Sequence, residues 1–430
     1  MSNLLENPWY VLAQLQQADD TGLSFFNDLC AQGLTDDQWR LAQARGFRLK
    51  PRENFRLRKN NIKVAFQAEM KRLHGADYAC PELPDPHQPI DFYGLAFPEK
   101  CDFSGLLIPN GLLLNECHFE APVDLSGALI CGTLNMTNTT FDKKVSAKGV
   151  LIEGACDAKW AKFESEALFT EGTFQGPVDF HGARFDGRAI FSKARFAHHV
   201  SFRNCHFDQA SQGKPVNFIN TVFEQPVDFR RAQFGSHYPD FAGATLHDRS
   251  QFTAQDCDGD IRFWPGKEAA SKQRRGLDRL RYHAKSRESA AVMRQLSGRQ
   301  GTPDAEHFFF RKEMYHAARA MPWYQAWHIL AYQFFSNFGY SVARPASLIT
   351  LLWAAGTWFY VQSVSFGIGQ AMAYSFAAIF KFFGFQRTYL EEEVAQLTGW
   401  MEVFAAGQTA LAFILLFFLG LGLRTRFRLK

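Results

Sequence analysis

A chain of 430 residues has room for two to four domains. Its 47 basic and 43 acidic residues nearly cancel to +4, but residues 1–89 are neutral, 90–263 carry −6, 264–330 carry +7 and 331–430 carry +3. No nucleophile elbow, phosphate loop, metalloprotease helix or dinucleotide fingerprint occurs, so the sequence gives no reason to expect an enzyme, a cofactor or a metal site.

Residues 1–89 read as mostly helical. Thr35 is placed to cap a helix through Asp36, Asp37 and Trp39, with both acids in the first turn where they suit the helix dipole. A second helix is expected from Asn61 to His74, with Val64, Ala65, Met70 and Leu73 as its apolar positions. Four prolines between Pro81 and Pro89 break regular structure and mark a boundary. The region is suited to capping the open end of the domain that follows.

From Phe97 to Phe207 a large apolar residue, or an alanine, recurs at alternating spacings of six and five. Its most regular stretch is Phe163, Phe169, Phe174, Phe180, Phe185, Phe191, Phe196, Phe202 and Phe207. Two residues before each comes a small or aliphatic residue. No helix has a period of 5.5 and no plain strand does, so the chain must coil, with successive turns stacked. Four sides of five and six residues make 22 per coil and five coils from Phe97 to Phe207. The large residues are expected to fill the centre, and Asp102, Asp124, Asp179, Arg184, Arg195 and Ser201 to face water. The register breaks once, through an expected loop around Ala210 to Lys214, and resumes five residues late at Val216, Phe218, Thr221 and Phe223. Leu246, Phe252 and Phe263 are expected in a last, degenerate coil.

Four of the eight cysteines, Cys101, Cys117, Cys156 and Cys205, occupy the small inward position, and no C-x-x-C pair exists. With no signal peptide at the N-terminus, these read as reduced cytoplasmic thiols. His198 and His199 fall at an exposed corner. Asp256, Asp258 and Asp260 alternate, but Gly259 comes too early for a calcium loop, so a polar cap is expected there.

The run Val178-Asp179-Phe180-His181-Gly182-Ala183-Arg184-Phe185 resembles the pentapeptide-repeat family in its phenylalanine-rich variant. The resemblance covers roughly residues 90–263. It implies a mainly β fold, a right-handed quadrilateral β-helix, and says little about function. Some soluble relatives mimic DNA and bind type II topoisomerases. The 22 acids against 16 bases in this segment argue against that reading here, and nucleic acid is not an expected partner.

Residues 264–345 read as a basic helical linker. After Trp264, Pro265 and Gly266 one helix is expected from about Glu268 to Leu296. A second begins at Thr302, Pro303 and Asp304, carries Phe308, Phe309, Phe310 and Met314, and ends before Pro322. A basic block just ahead of an apolar region suggests contact with an anionic membrane surface.

Residues 346–430 read as a membrane domain. Two stretches are long and apolar enough to span: Ala346 to Val364, and Trp400 to Leu423 with Glu402 one turn inside. Arg424, Arg426, Arg428 and Lys430 follow the second span. The segment from Phe366 to Phe385 holds Lys381 and is expected to be interfacial or re-entrant. The positive-inside rule then places both termini and the repeat domain in the cytoplasm of a bacterial-type inner membrane, with Glu391 to Glu393 outside. Gln408 and Thr409 lie near mid-span, where polar side chains either hold the helices of an oligomer together or line a pore. Ala406 and Ala410 form a small-xxx-small pair. Glu402 reads equally as a pore-mouth ring or an interfacial carboxylate, and Lys381 completes the set of pore or helix-interface candidates.

This tail is similar to a recurring bacterial arrangement in which pentapeptide repeats precede two membrane helices flanking a short pore-helix-like segment. The matching stretches run from Ser336 to Pro345 and from Leu416 to Lys430. The resemblance implies an ion channel, but nothing here matches the T-V-G-Y-G filter of potassium channels. The leading expectation is therefore a homo-oligomer in the bilayer, a tetramer being the natural guess. Its cytoplasmic rod would sense or bind a protein partner on the repeat face and couple to a two-span channel. The alternative is a membrane-tethered scaffold without a pore.

Overall fold

A computed structural model describes residues 2–18, 25–52, 55–207, 216–234, 239–252, 276–364, 366–390 and 399–427. The chain forms two compact units, Met1–Glu306 and His307–Lys430.

The first unit is built on a four-sided parallel β-solenoid. Its strands are only two or three residues long and fall into sheets of seven, six, five and six strands. Pairing joins residues 22 apart: Ile90 with Leu112, Phe97 with Phe119, Cys101 with Val123, Leu107 with Leu129. The coil thus starts one step before Phe97, with Phe92 already buried in its centre. After residue 207 the register resumes five residues late, since Arg195 pairs with Val222 and Val200 with Val227. The expected inserted loop, Phe263 and the aspartates 256, 258 and 260 lie outside the described residues. In the last coil Leu246 and Phe252 are buried, together with Phe241.

The corners explain the alternating spacing. Every five-residue side contains a tight turn such as Phe92–Leu95, closed by Leu95 N–H donating to the Phe92 carbonyl at 3.1 Å. Its third residue, here Gly94 at φ +67°, is left-handed, which defines a type II turn. The alternate sides take a wider bend and one more residue. An Asx cap precedes the tight turns: Asp102 Oδ1 accepts from Ser104 N–H at 3.0 Å, Asp124 from Ser126 at 2.9 Å and Asp179 from His181 at 2.9 Å. This corrects the reading of these aspartates as merely water-facing. They satisfy a backbone donor that the turn leaves unpaired.

Inside, aromatic rings stack from coil to coil and meet edge-to-face within a coil. Phe97, Phe119, Phe141, Phe163, Phe185, Phe207 and Phe234 form one column with centroid spacings of 4.3 to 5.1 Å and planes within 10°. Phe180 meets Phe191 at 5.8 Å and 76°. Such pairs add roughly 0.5–1.5 kcal/mol beyond area burial. The small inward positions also serve the backbone. Cys117 Sγ donates to the Phe92 carbonyl at 2.9 Å, Thr139 Oγ1 to that of Leu114 at 2.5 Å and Cys205 Sγ to that of Phe180 at 2.8 Å.

Both ends of the solenoid are sealed, because an open coil exposes unpaired strand edges and aromatic rings. Helices α1 (Ser2–Leu5), α2 (Pro8–Ala18), α3 (Phe25–Cys30), α4 (Asp36–Ala44) and α5 (Phe55–His74) precede the first strand. Thr35 and Gln38 form a reciprocal capping box at α4. Tyr10 packs edge-on against Phe97 at 5.9 Å. Asn27 imitates a strand residue: its Nδ2 donates to the Gly105 carbonyl at 3.0 Å and its Oδ1 accepts from Leu107 N–H at 2.7 Å. At the far end α6 (Gly276–Arg299) does the same. Ser289 Oγ accepts from Phe241 N–H at 3.0 Å, and Gln300 Nε2 donates to the Asp248 and Ser250 carbonyls. The expected linker therefore divides: its first part, through Glu306, belongs to the compact unit of the solenoid.

Helix α7 (Pro303–Ala320) leads into the second unit, which continues with α8 (Trp323–Ser336), α9 (Ala343–Ser363), α10 (Ile368–Ile379), a 3-10 turn at Lys381–Phe383, α11 (Phe385–Tyr389) and α12 (Trp400–Phe427). One described helix, over Trp400–Thr425, is long and apolar enough to cross a membrane. The other expected span, α9, is 21 residues long but carries Arg344, Ser347, Thr350, Thr357 and Gln362, which lower its hydropathy.

Candidate functional site

The sequence candidates converge only in part, and they do so within one chain. Helices α9, α10 and α12 enclose a core of Tyr360, Phe366, Ala371 and Tyr374, onto which Phe359, Met401 and Phe404 pack. Phe359 stacks on Phe404 with centroids 3.7 Å apart. Gln408, buried at 3% exposure, ties the three helices together. Its Oε1 accepts from the Tyr360 hydroxyl on α9 at 2.9 Å, and its Nε2 donates to Ser375 Oγ on α10 at 2.8 Å. Ser375 Oγ donates onward to the Trp353 carbonyl at 2.9 Å, and Trp353 Nε1 to the Met372 carbonyl at 3.1 Å.

Gly356 makes this contact possible. A Cβ there would stand 2.3 Å from Gln408 Nε2 and 2.5 Å from Ser375 Oγ. Thr409 Oγ1, beside Gln408, lies 3.0 Å from the carbonyls of Ala378 on α10 and of Ala405 on its own helix, which share its single proton. Both residues bond neighbouring helices of the same chain. Each polar group buried here has a partner, as a weakly polar interior requires.

The other two candidates stand apart from this network. Lys381 is exposed on the 3-10 turn after α10, and Glu402 is exposed in the first turn of α12. Ala406 and Ala410 also face outward, as do Val403, Phe413 and Phe417. Ser375 and Gly356 were not singled out by sequence. The available signal was a glycine inside an apolar helix, which marks a close approach.

In the solenoid, the phenylalanines 163, 169, 174, 180, 185, 191, 196, 202 and 207 are all central, each at most 2% exposed. Cys101, Cys117, Cys156 and Cys205 are buried and unpaired with one another. Burial pushes the Cys101 and Cys156 thiols up to about 12 and Cys117 to about 11, leaving them protonated and inert near neutrality. His198 and His199 are exposed, with their Nδ1 atoms 2.8 Å apart. No group of three or more His, Cys, Asp or Glu side chains positioned to hold a metal occurs among the described residues.

Four parallel sheets, a 22-residue rise and a phenylalanine column define a pentapeptide-repeat β-solenoid with helical flanks. The family model described as pentapeptide repeats (9 copies) matches residues 161–206, the stretch with the most regular phenylalanine ladder. No curated protein and no solved structure matches the chain.

Proposed function

We propose that the chain is a membrane-anchored, self-associating interaction protein, with the repeat rod on the cytoplasmic side as its partner-binding surface and a hairpin of α9 and α12 as its anchor. The observation that carries this reading is the surface of α12. Only 17% of its most apolar window is buried, although its mid-helix polar residues Gln408 and Thr409 are bonded inside the chain. Val403, Phe413 and Phe417 are each more than 60% exposed. A face of that size and apolarity is stable against lipid or another copy, not against water. Ala406, Gly407 and Ala410 give it the small-residue surface that close helix packing in membranes uses. The rod is read as non-enzymatic, presenting surface chemistry to a protein partner.

One observation favours ion conduction as a second reading. The short helix α10 sits against both α9 and α12, so the segment has the helix, short helix, helix order of simple two-helix channels. Conduction would require an oligomer, and its path would be lined by side chains other than Gln408.

The test is to purify the full chain from membranes in detergent, determine its mass by light scattering, and record currents after reconstitution. Oligomers without current support the anchor. Oligomers with current support the channel. A protein recovered from the soluble fraction as a monomer contradicts both.

A further inference from the structure

Helix α8 carries an aromatic stripe that the second unit does not cover. Trp323, Trp327, Leu330 and Phe334 recur at intervals of four, three and four, which places them on one face. Their exposures are 80%, 65%, 42% and 62%. The face that does pack is a different one, made of Ala326, Ile329 and Ser336. The helix is thus apolar on two sides, and only one of them meets protein among the described residues.

Charge and position indicate what meets the other. From Met314 to Arg344, the stretch on the α8 side of α9, the chain contains no aspartate or glutamate. Arg319 and Arg344 bracket α8 directly. A surface meeting α8 there therefore faces cations and no carboxylate, which suits anionic headgroups. The C-terminal half of α8 also packs on α12 near that helix's basic end. Tyr332 and Phe335 stack on Phe418 at 5.7 and 5.8 Å. Phe418 lies six residues before Arg424, roughly 9 Å along a helix rising 1.5 Å per residue. That is the depth, about 5–10 Å below the headgroups, at which the apolar face of an in-plane helix settles. Tryptophan is the side chain most enriched at this level, because its ring is apolar and its N–H needs a wet partner.

We infer that α8 is an interfacial helix whose Trp323–Trp327–Leu330–Phe334 stripe lies in the headgroup–acyl boundary of the cytoplasmic leaflet, with the exposed Arg344 beside anionic headgroups. This rests on the reading of α12 as a membrane span, and it adds an element absent from a simple two-span hairpin.

The test labels the full chain with an environment-sensitive fluorophore at Trp327→Cys or at Gln325→Cys, which lies on the opposite side of α8. Cys80 and Cys257 are replaced by serine, and the other thiols are buried. Each protein is reconstituted into vesicles of phosphatidylcholine and phosphatidylserine, with or without lipids spin-labelled near the headgroup. Carbonate extraction of the same vesicles tests the span separately. The inference predicts blue-shifted emission at 327, quenched at least twofold by the spin-labelled lipid, and water-like, unquenched emission at 325. Water-like emission at both positions in carbonate-resistant vesicles overturns it while leaving the span intact. A blue shift at 327 without lipid quenching also overturns it, because the stripe would then be covered by protein. Loss of the chain from the vesicles in carbonate overturns the span and the inference together.

Discussion

Asp179 and Phe185 are six residues apart and contribute stability in different ways. Phe185 is fully buried and stacks on Phe163 at 4.8 Å and Phe207 at 5.1 Å. Phe185→Ala should cost about 3–5 kcal/mol, the range for deleting a core aromatic. Asp179→Ala removes the acceptor for His181 N–H and should cost on the order of 1 kcal/mol, as for a lost cap, rather than nothing. Urea unfolding of both variants checks the ranking, and equal losses would contradict the register. Cys156 gives a pH signature. Its thiol, ordinarily at 9.0, is raised to about 12 chiefly by burial. A raised folded value means the contribution is complete below pH 9 and is lost as pH rises from about 9 to 12, where the unfolded chain gives up the proton first. Cys156→Ala should therefore show a shallower fall of the urea midpoint between pH 8 and pH 11 than the parent protein. Parallel falls would mean the thiol is not buried.

At the scale of elements, legibility followed periodicity. The coil could be read because each central residue repeats every 22 positions, so one pattern specifies every contact. The start of α4 could be read because Thr35 and its acids are a local signal. Helices α2 and α3 were not read: their apolar residues, Trp9 to Ala13 and Phe26, Leu29 and Cys30, seal the coil end and follow its shape rather than a helical stripe. Helix α8 escaped because its aromatic residues mark two faces at once. Gln408 was singled out as a costly mid-span amide, but its partners Tyr360 and Ser375 lie 48 and 33 residues away, a distance no local pattern spans. The three-helix knot makes its own prediction. Gly356→Ala would drive a methyl into Gln408 and Ser375 and leave their hydrogen bonds unmade, costing about 1–3 kcal/mol. The full chain in detergent should melt at a lower temperature, and unchanged melting would show that the helices do not meet there.

At the scale of the molecule, two units carry two kinds of surface. The solenoid and its helical caps form a compact unit with a buried aromatic core and a mixed-charge exterior. The helical unit buries Gln408 and Ser375 and presents aromatic and aliphatic residues outward, among them Trp323, Trp327, Phe413 and Phe417. The basic residues beginning at Arg424 set the direction in which α12 would be inserted. The most direct measurement is the accessibility of the two ends of that helix in intact spheroplasts, using an impermeant thiol reagent. A cysteine in place of Glu402 should be labelled without lysis, and one in place of Thr425 only after lysis. Labelling of Thr425→Cys alone, or of neither without lysis, would contradict a chain anchored through α12 with its repeat rod in the cytoplasm.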